Sequence, residues 1–333
     1  MKKLPGLLLL LCGAAALAQN NPAVNQADVA RRQSELEKAL GKLLPGDDVP
    51  GLYSGDDEDI GPQSVLIRRK HDWFRAMLDS QIFYTDNMHF APDNERDAVV
   101  AVNTAEAALV SPSAISRFAS VRGEAGYRHQ FFNYLGGSDR DDFDFRASTI
   151  FGDAVAQTKH YQFRAGLDYT RLLGFEPLQR DDYDEFYSEF VPRWSVQRNI
   201  RICDRSMLSL AYLGSYHFTD EEDPLIAAPP FIALPSLDDD RSERWEHSFL
   251  AAYTVALPCK LVAQPYYRFQ YTDLVNVNET LRLHTVGLGL GWIPCANFSV
   301  RGFVGYNWQD ASIDVAEYEK LDAGAGLNIT LRF

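Results

Sequence analysis

From Leu321 to the end of the chain, apolar and polar residues alternate. Leu321, Ala323, Ala325, Leu327, Ile329, Leu331 and Phe333 are apolar, and between them stand Asp322, Gly324, Gly326, Asn328, Thr330 and Arg332. Successive side chains of an extended strand point to opposite faces, so this period predicts a strand with one apolar and one polar face. The pattern recurs upstream as far as Trp73. It predicts twelve strands, over 73–86, 97–110, 118–135, 141–154, 160–172, 183–198, 205–219, 242–257, 260–273, 280–293, 297–309 and 318–333. Short and longer polar connections alternate between them, as in a meander of hairpins.

The two faces separate clearly in several runs. In 160–172, Tyr161, Phe163, Ala165, Leu167 and Tyr169 oppose Gln162, Arg164, Gly166, Asp168 and Thr170. In 183–198, Phe186, Phe190, Trp194 and Val196 oppose Glu185, Glu189, Arg193 and Gln197. In 118–135, Arg122, Glu124, Gly126, Arg128 and Gln130 share a face. A half-exposed soluble sheet alternates too. What differs here is a dozen long strands whose polar face carries bulky Arg and Glu. Aromatic residues also sit near the strand ends (Tyr161, Tyr169, Trp194, Tyr271, Trp292 and Trp308), where interfacial girdles form in a membrane.

Residues 1–72 follow other rules. Lys2 and Lys3, the apolar Leu7 to Leu11, and Ala16-Leu17-Ala18 before Gln19 have the form of a secretory signal, with cleavage expected between Ala18 and Gln19. A lipidated Cys12 is the weaker reading, because bulky Leu11 precedes it. Residues 19–72 are expected to form an N-terminal periplasmic or lumenal extension. Asn25 with Asp28 can cap a short helix over about 26–44, with Val29, Leu36, Leu40 and Leu43 on one face; Pro45-Gly46 ends it. An acidic Gly/Pro-rich tether then leads to Trp73.

Composition narrows the function. The 333 residues are 46% hydrophobic, which supports a packed domain, and the formal net charge of −14 leaves no basic surface to draw nucleic acid. Mean hydropathy is −0.25 and no long apolar run follows residue 18, so no transmembrane helix is expected there. Alternating strands escape that test. Beyond Cys12, Cys203, Cys259 and Cys295 lack the C-x-x-C spacing of a metal or redox site.

The strand ending in Phe333, together with the alternation upstream, resembles bacterial outer-membrane β-barrel proteins, which are typically assembled through a last strand of this kind. The resemblance covers residues 73–333. It implies an all-β fold, a closed antiparallel up-and-down transmembrane β-barrel of about twelve strands (range 10–14), porin-like in general architecture. It further implies residence in the bacterial outer membrane, contact with outer-membrane lipid, and recognition of the C-terminal strand by the barrel-assembly machinery. With Phe333 on the periplasmic side, the turns near 111–117, 155–159, 199–204, 258–259 and 294–296 face the periplasm. The longer loops then lie outside and carry acidic clusters such as Asp181-Asp182 and Asp238-Asp239-Asp240.

The polar face then lines the lumen. Pore-lining candidates are Arg75, Arg122, Glu124, Arg128, Arg164 and Asp168, with Glu185, Glu189, Arg193, Arg268 and Arg301. Arg146, Arg332, Asp79, Asp144, Glu246 and Asp322 join them, and the set is nearly balanced in charge. Two readings stay open: a narrow hydrated pore passing small polar solutes, or a closed barrel whose charges pair and whose loops serve a structural or contact role. The longest loop, 219–241, holds an apolar Pro-rich centre between acidic clusters. An outer-membrane lipid hydrolase is a third reading and requires a Ser–His pair. None of the seven His residues starts an H-x-S-N-G stretch, and His247-Ser248 point to opposite faces. The acidic loops lack D-x-D-x-D-G spacing, so neither metal nor cofactor is expected. Deleting Phe333 is predicted to lower the amount of heat-modifiable, folded barrel in membranes, measured by electrophoresis with and without boiling; unchanged levels contradict an assembly role.

Overall fold

The computed structural model describes residues 26–27 and 73–333, except 89, 91, 93–95, 116–118, 136–143, 175–183, 222–242, 277–278, 296 and 313–315. The leader with Ala18 and Gln19, most of the expected helix, the acidic tether and the centre of loop 219–241 lie outside the described residues. The strands are β1 (Phe74–Thr85), β2 (Ala98–Val110), β3 (Ala114–Ile115), β4 (Ser120–Leu135), β5 (Phe145–Gln157), β6 (Gln162–Leu173) and β7 (Glu185–Cys203). They continue with β8 (Ser206–Glu221), β9 (Arg244–Leu257), β10 (Leu261–Leu274), β11 (Glu279–Cys295), β12 (Phe298–Ala311) and β13 (Tyr318–Arg332). Apart from the two-residue β3, these are the twelve long strands that the period predicts.

Each long strand pairs antiparallel with its neighbour in sequence, and β2 pairs with β4 past β3. The barrel closes where β1 meets β13, in a register running from Arg75 opposite Arg332 to Thr85 opposite Asp322. Phe333 extends that seam: its N–H donates to the Phe74 carbonyl at 3.0 Å, and the Phe74 N–H donates to the Phe333 carbonyl at 3.2 Å. Every long strand therefore has a partner on both sides, and no sheet edge is left open.

The outer face is apolar and exposed, with Ile150, Leu167, Leu288, Leu327 and Ile329 among its members. Several boundaries differ from expectation. β5 begins at Phe145 and runs to Gln157, and β7 runs to Cys203, leaving Asp204-Arg205 as a two-residue turn. An Arg201–Asp204 pair at 2.7 Å holds that turn. Between β9 and β10, Cys259 and Lys260 both take φ 62°, a left-handed pair in a tight hairpin built without glycine. Cys203, Cys259 and Cys295 are free and exposed at this same end of the barrel, the end that holds Phe333.

Close approach requires glycine at two places in the wall. A Cβ on Gly287 would lie 2.4 Å from the Tyr266 ring, which spreads across it inside the barrel. At the seam, a Cβ on Gly324 would lie 2.4 Å from the Phe83 Cβ and 2.5 Å from the Ile82 carbonyl oxygen. Gly289, by contrast, would meet only the Gln264 carbonyl, at 3.8 Å. Gly324→Val is therefore predicted to destabilise the closed barrel by about 1–3 kcal/mol, the usual cost of overpacking. Gly289→Ala should change little. Urea unfolding of lipid-reconstituted protein, followed by loss of heat-modifiable migration, checks both.

Candidate functional site

The inner face gathers charge from nearly every strand. On β1, β2 and β4, Arg75 binds Glu106 at 2.8 Å and also contacts Glu124, while Arg128 binds Glu106 at 3.0 Å. On β5 to β7, Arg193 grips Asp168 with two N–H donors at 3.0 and 2.8 Å. The same guanidinium reaches Asp153 at 2.8 Å, and Arg164 reaches Asp153 at 3.3 Å. On β7 to β9, Glu189 sits 3.0 Å from His217 Nδ1 and 3.6 Å from Arg244, which binds Glu246 at 2.8 Å. Arg268 donates to Ser248 Oγ and to the Gln270 side-chain carbonyl oxygen, both at 2.9 Å. Across the seam, Arg301 donates to Asp79 at 2.8 Å and to Gln81 at 3.0 Å. The geometry has one direction. Each of these inter-strand ion pairs joins strands that are adjacent or next but one, so it lies along the wall and does not cross the lumen.

Ten of the eleven pore-lining candidates lie on this inner face. Arg122 is among them, on one row with Arg164 through Val155, and it makes no ion pair with another described residue. Glu185 is the correction. Leu173 pairs with Glu185 but Leu172 pairs with Tyr187, so Phe186 is an extra residue bulged into β7. The bulge reverses the alternation before it. Phe186 turns into the lumen, while Glu185 binds Arg171, which is 46% exposed and shares the outer face with Tyr169. Arg146 is corrected as well: it shares the parity of Ile150, which is 61% exposed, and its guanidinium lies 5.8 Å from the outer Phe131 ring. Asp144, just before β5, accepts from the Asn133 amide at 2.9 Å and the Tyr134 N–H at 2.7 Å instead of joining the lumenal network.

Glu106, Asp153, Arg244, Lys320 and His217 are inner-face charges or titratable groups that reading the sequence missed. For Glu106, Asp153, Arg244 and His217 the strand mixes apolar residues into the inner face, which hides the contrast; Lys320 stands on the polar face of β13, one position before the alternating stretch that begins at Leu321. His217 had a local signal: Ser215-Tyr216-His217 places Ser and His on one face at strand spacing. Ser215 Oγ lies 3.1 Å from His217 Nε2, and Glu189 holds Nδ1, the atom order of a hydrolase triad. His217 is fully buried, however, and Glu246 stands 3.7 Å from the same Nε2. The cavity beside Ser215 measures about 30 Å³, room for a water but not for an acyl group. A second pair, Ser148 Oγ and His129 Nδ1 at 2.8 Å, lies on the outer face with Tyr127.

The wall changes character at the end away from Phe333. There the inner positions are Phe83, Val100, Val102, Phe132, Tyr134, Phe145, Ala147, Leu172, Phe186 and Tyr187, which pack into one buried cluster. They come from β1, β2 and β4 to β7, so the apolar surface covers one side of the lumen as a half-ring. Ala27 packs against it, and Gln26 is only 2% exposed. A cavity of about 20 Å³ separates Ala27 from Ala147, Leu172, Thr149 and Arg128. Ala27 thus lies against the inner face of the wall.

No protein-family model and no curated protein matches the chain. Solved structures do. An outer-membrane channel from Pseudomonas putida F1 aligns with a TM-score of 0.50 at 9% identity, covering 81% of this chain and 99% of that one. The translocator domain of the autotransporter NalP from Neisseria meningitidis aligns at 0.45 and 12% identity, covering 92% and 97%. The beta domain of the Bordetella autotransporter BrkA aligns at 0.44 and 9% identity, covering 78% and 99%. The chain folds as a bacterial outer-membrane β-barrel. In this barrel the polar face read from the sequence is the lumenal wall.

Arg193 is the group on which one sector of that wall turns. Removing it leaves Asp153 and Asp168, both buried, without their shared cation. Arg193→Ala is predicted to cost about 3–5 kcal/mol, as for other broken buried pairs. Adding Asp168→Leu should recover part of the loss. Urea unfolding of the two variants in the same lipid measures this; equal stability of Arg193→Ala and wild type contradicts it.

Proposed function

We propose that the protein is an outer-membrane channel for small polar solutes, with a preference for anions. The observation that carries this reading is the direction of the ion pairs. The ion pairs described above run along the wall and do not tie its opposite sides together, an arrangement compatible with an axial path for a solute. Closed small barrels fill their interior with side chains, whereas twelve strands enclose more space than eight. The anion preference rests on Arg122, which makes no ion pair with another described residue and shares a row with Arg164 at the end that holds Phe333. Nothing in this reading depends on catalysis, and the Ser215–His217–Glu189 set serves as part of the wall.

Planar-bilayer recordings test it. The expected result is small conductance steps whose reversal potential in a KCl gradient lies on the anion side. Arg122→Glu should move that potential toward the cation side. A preparation that never conducts, even with residues 19–45 removed, contradicts the channel and favours the closed structural barrel.

A further inference from the structure

We propose that Arg198 on the outer wall, laid over the Tyr161 ring and close in the fold to the turn that carries Lys159, binds the phosphate of an anionic glycerophospholipid in the leaflet at the Phe333 end. The proposal goes beyond the channel reading and does not depend on conduction.

The argument starts from where charge stands on the outer face. Arg198 shares the parity of Trp194 on β7 and pairs with Leu210 of β8, and both of these are exposed. Most described outer-face charges gather in the loop half of the wall, Asp273, Arg282, Asp310 and Glu319 among them. In the half toward Phe333, Arg198 is the one charged strand residue that the described outer face carries. It stands within the apolar face and not beyond it. Val196 precedes it and Ile200 follows it on the same face, and exposed Ile202 lies further toward the turn. A charge on a lipid-facing strand is destabilising in proportion to its depth, so a guanidinium there reaches for the interface and a counter-charge.

The site is shaped by the protein alone. The Arg198 guanidinium carbon lies 5.5 Å from the centre of the Tyr161 ring, a cation–π contact. The turn before β6 fixes Tyr161. The Thr158 N–H donates to the Tyr161 carbonyl at 2.8 Å, and Thr158 Oγ1 donates to the same carbonyl at 2.9 Å and accepts from the Tyr161 N–H at 3.0 Å. A ring occupies one face of a guanidinium and leaves the in-plane N–H donors for a planar, bidentate partner such as two phosphate oxygens. Arg198 makes no ion pair with another described residue. Lys159 and His160 are exposed in the same turn, which holds no carboxylate. The neighbourhood is therefore positive on a chain whose formal net charge is −14, and that sign favours an anionic headgroup over a zwitterionic one. Trp194 lies four residues along β7 toward mid-wall, about 13 Å at about 3.3 Å per residue. It borders an outward furrow of about 920 Å³ floored by Gly152, Ala154, Ala165 and Pro192. A lipid held by its phosphate at Arg198 passes an acyl chain over Val196 to Trp194, which makes that indole the reporter.

Quenching by brominated lipid tests the site in the full-length protein. Trp73, Trp245, Trp292 and Trp308 are replaced by Phe to leave Trp194, and heat-modifiable migration verifies folding. A control protein keeps Trp292 instead, on β11, where the neighbouring Lys260 donates to the Pro294 carbonyl at 2.6 Å. Each is reconstituted in phosphatidylcholine containing dibrominated phosphatidylglycerol or, at the same fraction, dibrominated phosphatidylcholine. The expected result is a relative association constant at Trp194 favouring phosphatidylglycerol on the order of fivefold, with a ratio near one at Trp292. Arg198→Gln should bring the Trp194 ratio near one, Arg198→Lys should keep part of it, and Tyr161→Leu should lower it. Equal quenching of Trp194 by the two lipids overturns the site. So does an equal preference at Trp194 and Trp292, which marks general attraction to this end of the barrel, or a preference that survives Arg198→Gln. Trp194 shielded from both lipids while Trp292 is quenched marks a second copy on this face and overturns the lipid as its occupant.

Discussion

The structure depends on one constraint, that a sheet without water at its edges must close on itself. Each unpaired backbone N–H or carbonyl in hydrocarbon costs several kcal/mol, so a meander of this kind is complete only when its first and last strands meet. In this chain that duty falls on β1 and β13. The seam is made intimate by Gly324, which lets Phe83 lie against the β13 backbone, and it is extended by Phe333, whose main chain exchanges two hydrogen bonds with Phe74. The terminal residue thus has a structural place at the closure of the barrel, apart from any part it plays in recognition by the assembly machinery.

Closure makes the period of two meaningful. Once the sheet is a cylinder, alternate residues are assigned to lipid or to lumen, and the sequence pattern becomes a map of two surfaces. That is why the strands and most lumenal residues are legible from sequence. Parity alone places Arg164, Asp168, Arg193 and Arg268, and it holds because nothing interrupts the alternation around them. It fails at Glu185, where one bulged residue, Phe186, reverses the faces without leaving a mark in composition. It fails differently at Glu106. That residue shares its face with Val100 and Val102, and a contrast of polar with apolar disappears where the lumen itself is apolar.

The buried charges need three-dimensional proximity to be understood. Sequence alone shows that the inner set is nearly balanced, but not how it pairs. Balance is consistent with charges tied across a filled interior and with charges laid along a wall. Antiparallel register shows the second arrangement around Arg193, because it brings Arg193 opposite Gly166 and beside Asp168, with Asp153 one strand further on. A glycine opposite the arginine gives its long side chain room to turn sideways; a Cβ on Gly166 would lie 3.2 Å from the guanidinium carbon. The small residue and the lateral ion pair are two parts of one arrangement.

Apolar half-ring and charged wall make different demands on what fills the lumen. A wall of mostly paired charges tolerates water and tolerates its absence, since the paired groups already have partners. An apolar surface does not tolerate water equally, and it favours any chain segment that can cover it. The lumenal wall therefore carries two surfaces of different chemistry, one of charged pairs and one apolar. The contact of Ala27 with this surface of Val, Leu and Phe side chains is one of area and not of fixed polar geometry. Such a contact is adjustable: trimming the apolar area on either partner weakens it in steps, while the barrel that carries the surface stays closed at β1 and β13.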